Sequence, residues 1–222
     1  MSLKFTDEPP NGRDSIERRL NAYAHRSRLP LRKYRSKEGS NVYLPPRPYL
    51  KRTDGVYAPH PIYFLGLKDL IEGGAGFIAA KPSGFYYVLE NNKGEPVARA
   101  HMRTDKEGNW VVANLSFGNT SQLTLPALEK LANHTLVQKS DYEVRFIRCI
   151  AVNFAAIWLK ASEFNYDLIH PLGSEYSIPG SEPPYLAESF MAEFLKPKAH
   201  LFRDSYVAFS ASRRFNNEPL VP

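Results

Sequence analysis

Cysteine is almost missing from this chain. Cys149 is the only one in 222 residues, so no intrachain disulfide can form. Such usage points to a reducing compartment, and the cytoplasm is the expected location. No apolar run approaches the roughly 18 residues that a membrane-crossing helix needs. The opening MSLKFTDEPPNGRD has no apolar core of a secretory signal, so none is expected. No internal repeat is visible.

Local signatures of chemistry are also lacking. The six histidines, His25, His60, His101, His134, His170 and His200, form no H-x-H, H-x-x-H or H-x-x-x-H pair. With one cysteine, a zinc site would need assembly over long range, so no metal or other cofactor is expected. Cys149 sits in the apolar stretch IRCIAV, where a thiol acts as a small hydrophobe rather than a nucleophile. No G-x-S-x-G elbow occurs. EGGAGF at 72–77 lacks the Lys-Ser/Thr ending of a phosphate loop and reads as a helix stop. Helix-turn-helix and RNA-recognition signatures are absent.

Against these absences stands a strong charge asymmetry. The net charge is +6. Between Arg13 and Arg52 there are 12 basic and 3 acidic residues, whereas the rest of the chain is slightly acidic. The stretch RRLNAYAHRSRLPLRKYR contains Arg18, Arg19, Arg26, Arg32, Lys33 and Arg35 and no carboxylate. Such a stretch either contacts a polyanion or is a solvated flank.

The rest reads as a sheet protein with helices. A basic amphipathic helix is expected over 15–26, with Asp14 and Glu17 at capping-box spacing and Ile16, Leu20 and Tyr23 as its apolar stripe. Eighteen prolines, clustered at 45–61, 179–184 and 219–222, mark extended connections. IYFLGLKDLIEGG reads as a short helix over 62–72, ended by Gly73 and Gly74. GFYYVLEN, EPVARAHMRT and NWVVANLSFG read as three strands joined by turns at Asn92-Lys93-Gly94 and DKEG. A helix capped by Thr124, with Pro126 in its first turn, precedes a long β-rich run read as a strand that is broken or bulged near Val152 and Asn153. A helical FAAIWLKAS is the alternative there. DLIHPL closes a hairpin, a helix over 185–195 stops at Pro197, and an edge strand is expected over 206–209.

The expected fold is therefore α+β. An antiparallel sheet of about five or six strands would carry helices packed on one face, with a basic N-terminal helix and arm and a C-terminal helix. The expected organisation is a basic arm over 1–61, a core over 62–172, and a linker, helix and tail over 173–222.

One sheet face stands out. If strict alternation holds across the DKEG turn, Arg99, His101, Arg103, Trp110 and Asn114 share a side, opposite Ala98, Ala100 and Met102. Cations mixed with an indole suit an interface. The expectation is a non-catalytic binding or assembly module that contacts a protein partner, or its own copy, through this face and the basic arm. One alternative is nucleic-acid binding through the N-terminal region. Another is an enzyme whose pocket gathers groups from His60, His101, His170, Asp141 and Asp167.

Overall fold

A computed structural model describes residues 3–4, 6–7, 9–27, 59–74, 76–90, 96–117, 119–162, 166–178 and 181–215. The Pro-rich arm with Arg32, Lys33 and Arg35, the Asn92-Lys93-Gly94 turn, and the side chains of Tyr23, His25 and Arg26 lie outside the described residues. The chain divides into two compact units: residues 1–6, 60–84 and 123–222 form the larger, 7–59 and 85–122 the smaller.

The larger unit is built around β6 (Tyr142–Cys149) and β7 (Phe154–Ala161). These two pair antiparallel over their full length, from Tyr142 opposite Ala161 to Cys149 opposite Phe154. The β-rich run does break as expected. A 3-10 turn at Ile150–Val152 and Asn153 at φ 53° reverse the chain. The alternative helix is not formed, because FAAIWLKA supplies apolar residues to both faces of a covered sheet. Then β8 (Leu168–Pro171) adds to β7, and β9 (Tyr185–Leu186) to β8.

On its other side β6 takes two parallel neighbours, β1 (Leu3–Lys4) and β2 (His60–Phe64). The sheet is therefore mixed rather than antiparallel. Nine strands occur among the described residues, more than the five or six expected. The excess has a definite origin. Ile62, Tyr63 and Phe64, expected to open a helix, instead belong to β2, because their side chains find both a ladder partner and a buried or half-buried face. Helix α2 begins only after Gly66, at Leu67–Glu72, and ends at Gly73 as expected.

Side chains are buried on both faces of this sheet. Ile147, Ala156, Trp158 and Ile169 share a cluster with Leu70 of α2, with Phe190 of α4 (Ala187–Phe190) and with Ala199 of α5 (Lys196–Phe215). On the opposite face Val144, Phe146, Ile157 and Leu159 are buried as well. Helix α3 runs Asn119–Ala132, so Thr124 and Pro126 are interior rather than at its start. Pro126 and Gln122 are both exposed, so water can take the carbonyl that loses its N–H partner.

Near the C-terminus the helix does not stop at Pro197. A π-helical turn at Met191–Leu195 widens the ladder just before α5 and accommodates the proline ring. The strand expected over 206–209 is instead helix, since 196–215 contain a single β-branched residue, Val207. No helix among the described residues is long and apolar enough to cross a membrane.

The smaller unit contains α1 (Gly12–Ser27), residues 85–90 of β3 (Lys81–Glu90), β4 (Pro96–Thr104) and β5 (Trp110–Phe117). The three strands are antiparallel, as expected. The DKEG turn forms through Asp105, whose carboxylate accepts the N–H groups of Glu107 and Asn109, both at 2.9 Å. Gly108 takes φ 83°, a conformation other side chains resist.

Helix α1 starts three residues earlier than the capping-box reading implied. Asn11, at φ 57°, turns the chain, and Gly12 lets the helix lie against Tyr87. Asp14 therefore sits inside the first turn, where its charge complements the helix dipole. The expected stripe holds where it is described. Ile16 is 1% exposed and packs with Tyr87, Leu89, Ala98, Ala100 and Met102, with Leu20 alongside. Ile16→Ala should cost about 2–4 kcal/mol by opening a cavity under α1. Urea unfolding followed by Trp110 emission measures it, and a loss below about 1 kcal/mol would mean that α1 is not docked as described.

Candidate functional site

Strict alternation fails in β5. Ala98, Arg99, Ala100 and His101 pair with Phe117, Ser116, Leu115 and Asn114, but Met102 then pairs with Val112. Ala113 is skipped and forms a β-bulge. One extra residue reverses the facing of everything before it. Arg103 now stands opposite Val111, and Trp110 opposite Thr104. Arg99, His101, Arg103 and Asn114 do share a face. Trp110 does not: it lies on the Ala98/Ala100/Met102 side, edge-on to Phe85 at 5.1 Å and partly buried. The expected five-residue face is therefore corrected to four.

That four-residue face is mostly committed to internal contacts. The Arg99 guanidinium lies 5.3 Å from the Tyr86 ring centre, and the His101 ring meets the same tyrosine edge-on at 5.1 Å. Tyr86 is 3% exposed. Asn114 donates to Ser116 at 2.9 Å, and Arg103 is exposed.

The bulge places Trp110 elsewhere, beside the basic helix. A groove of about 760 Å³ runs between α1 and β5. Ser15, Arg18, Arg19 and Ala22 form one wall, Trp110, Val111 and Val112 the other, and Pro10, Asn11, Asp105, Gly108 and Asn109 complete its lining. Three residues singled out from the sequence for separate reasons, Arg18, Arg19 and Trp110, thus meet in one site. Ser15, Asp105 and Val112 were missed. The Asp-x-x-Gly turn could have signalled Asp105, whereas nothing local marks Ser15.

Hydrogen bonds organise the groove. The Ser15 hydroxyl donates to the Trp110 carbonyl at 3.0 Å and accepts from the Arg18 guanidinium at 3.4 Å. Arg18 also donates through Nε to the Asp14 carbonyl at 3.3 Å. Its charge is held in place by neutral groups of its own helix. Arg19 makes no hydrogen bond or ion pair among the described residues. Asp105 stays ionised, held below the usual carboxylate range chiefly by the Asn109 N–H. Two cations and one anion leave the groove net positive.

In the larger unit Asp141, Asp167 and His60, three of the groups considered for a pocket, are engaged in structural contacts. Asp141 is paired with Lys4 at 2.9 Å. Asp167 accepts from Trp158 at 3.0 Å, Lys160 at 3.2 Å and the Ala161 N–H at 3.0 Å. The His60 ring packs on Phe146 at 5.2 Å. Arg145, another residue missed, is stacked on Tyr63 at 4.8 Å and Trp158 at 5.0 Å and bonded to Glu143 at 2.6 Å. Burial pushes the Cys149 thiol up, so it stays protonated. No cluster of three His, Cys, Asp or Glu able to hold a metal occurs among the described residues.

Comparisons with protein-family models, with curated proteins and with solved structures return no match for this chain.

The buried histidines give a pH prediction. Burial lowers His60 from 6.5 to about 4. Burial first, then the charges of Lys130 and His134, lower His170 from 6.5 to about 4. Both are neutral in the folded chain, while the unfolded chain takes up protons near 6.5. Stability is therefore full above about pH 6.5 and falls as pH drops toward 4. At pH 5 each histidine should cost about 2 kcal/mol. Chemical unfolding at pH 7.5 and pH 5, followed by Trp158 emission in a Trp110→Phe background, measures the loss. Equal midpoints would show that neither imidazole is buried neutral.

Proposed function

We propose that this protein is a non-catalytic interaction module that captures a protein partner in the groove between α1 and β5. One observation carries the reading: Trp110, Arg18 and Arg19 converge on a concave surface beside a sheet edge. An indole with guanidinium neighbours is the composition that dominates binding energy at protein interfaces. The basic region supplies attraction for an acidic partner and a faster encounter. The single buried cysteine and the lack of a spanning helix among the described residues support a cytoplasmic setting.

Selection from a random peptide library on the full chain tests the reading. Selected peptides should lose at least about tenfold in affinity with Arg18→Glu/Arg19→Glu, equivalent to about 1.4 kcal/mol. They should change less than about twofold with Arg99→Ala/Arg103→Ala, whose groups lie on the other face. Loss that follows Arg99 and Arg103 would move the site to that face. Preferential binding of single-stranded RNA or DNA, falling steeply with salt, would favour the nucleic-acid reading.

A further inference from the structure

We propose that the occupant of the groove is an acidic peptide segment that enters as an added strand on the outer edge of β5, which no strand among the described residues covers. This inference rests on the groove being a protein-binding site and specifies what it binds.

The backbone of β5 is set out to receive a strand. The Asp105 N–H bonds to the Asn109 carbonyl at 2.9 Å, which makes 105 and 109 a hydrogen-bonded pair. In an antiparallel ladder such pairs alternate with pairs whose N–H and C=O groups point outward. With Thr104 opposite Trp110, Arg103 opposite Val111 and Met102 opposite Val112, the outward residues are Trp110 and Val112. The Ser15 contact confirms this direction independently, because its hydroxyl reaches the Trp110 carbonyl from the groove side. The Trp110 N–H and both backbone groups of Val112 remain, directed to where no strand lies among the described residues.

This edge is poorly defended. WVVANLSF contains no charge and no proline, the usual guards of an exposed strand. The bulge at Ala113 ends the straight stretch, so an added strand pairs over Trp110–Val112 only. So short a ladder needs side-chain help, and α1 supplies it. Residues of an added strand opposite Trp110 and Val112 share their face, the α1 side, about 7 Å apart. Arg18 and Arg19 stand there. The arrangement selects an acidic-x-acidic pattern whose carboxylates reach the arginines while their methylenes lie against the indole. Asp105, ionised in the turn lining the groove, opposes a long polyanion, which favours a short acidic peptide over a nucleic-acid backbone. Strand addition is an established mode of peptide capture, in which the main chain gives affinity and alternate side chains give specificity.

Fluorescence anisotropy with the full chain tests the inference. The probe is fluorescein-Gly-Ser-Val-Glu-Val-Glu-Val-amide, compared with its Lys-for-Glu counterpart and with a form N-methylated at alternate amides to block the ladder. The Glu peptide should bind, and each control should bind at least about tenfold more weakly. Arg18→Gln/Arg19→Gln, checked for folding by circular dichroism, should weaken the Glu peptide by a similar factor. Equal binding of the N-methylated form would show charge attraction without strand pairing and overturn the inference. So would equal binding of the Lys form, displacement of the probe by a single-stranded oligonucleotide at equal concentration, or a dimer of the chain that excludes the probe. If the Glu peptide fails while library-selected peptides still depend on Arg18 and Arg19, strand addition falls and the binding module stands. If no peptide is held in the groove, both fall.

Discussion

One unpaired residue, Ala113, decides which side of the smaller unit's sheet carries its indole. A strand has a side-chain period of two, so an inserted residue exchanges the faces of all that lie on one side of it. Without the bulge Trp110 would stand with Arg99 and Arg103, away from α1. With it, Trp110 shares the face of Met102 and Val112, meets Phe85, and forms a wall of the groove together with the basic helix. On this same side Ile16 packs on β3 and β4, and Ser15 bonds to the Trp110 carbonyl.

The two arginine environments show how similar residues acquire different roles. Arg99 and Arg145 are stacked on aromatic rings, and their charge is spent within the fold. A cation held this way contributes to packing as much as to electrostatics. Arg18 is tethered only by neutral acceptors on its own helix, and Arg19 by nothing among the described residues. Their field is directed at the groove. Arg18, already held by its own helix, needs little reordering and loses less entropy when it meets a carboxylate, which suits a recognition role.

The larger unit follows a different economy. Its sheet buries side chains on both faces and is closed by a run of aromatic contacts, Phe154 to Phe190 at 5.8 Å and Phe190 to Phe194 at 5.6 Å among them. The Tyr176 hydroxyl donates to the Val152 carbonyl and ties the chain beyond β8 to the turn before β7. Ion pairs within it include Lys4 with Asp141 and Lys160 with Asp167.

Much of the secondary structure was legible in the residues. Three antiparallel strands, the Asp105 turn, the apolar stripe of α1, the stop at Gly73 and the break at Asn153 all follow from period, turn chemistry and conformational preference acting within a few residues. Where those rules failed, a distant partner had overruled them. HPIYF became a strand because β6 offered a ladder, and the C-terminal helix passed Pro197 because a widened turn removed the clash. The same division holds for the site. Arg18, Arg19 and Trp110 were conspicuous as residue types, since charge and indole declare themselves in composition. Their meeting was decided by the bulge and by how α1 docks, because facing and proximity are properties of pairing register and packing, which no short stretch of sequence contains.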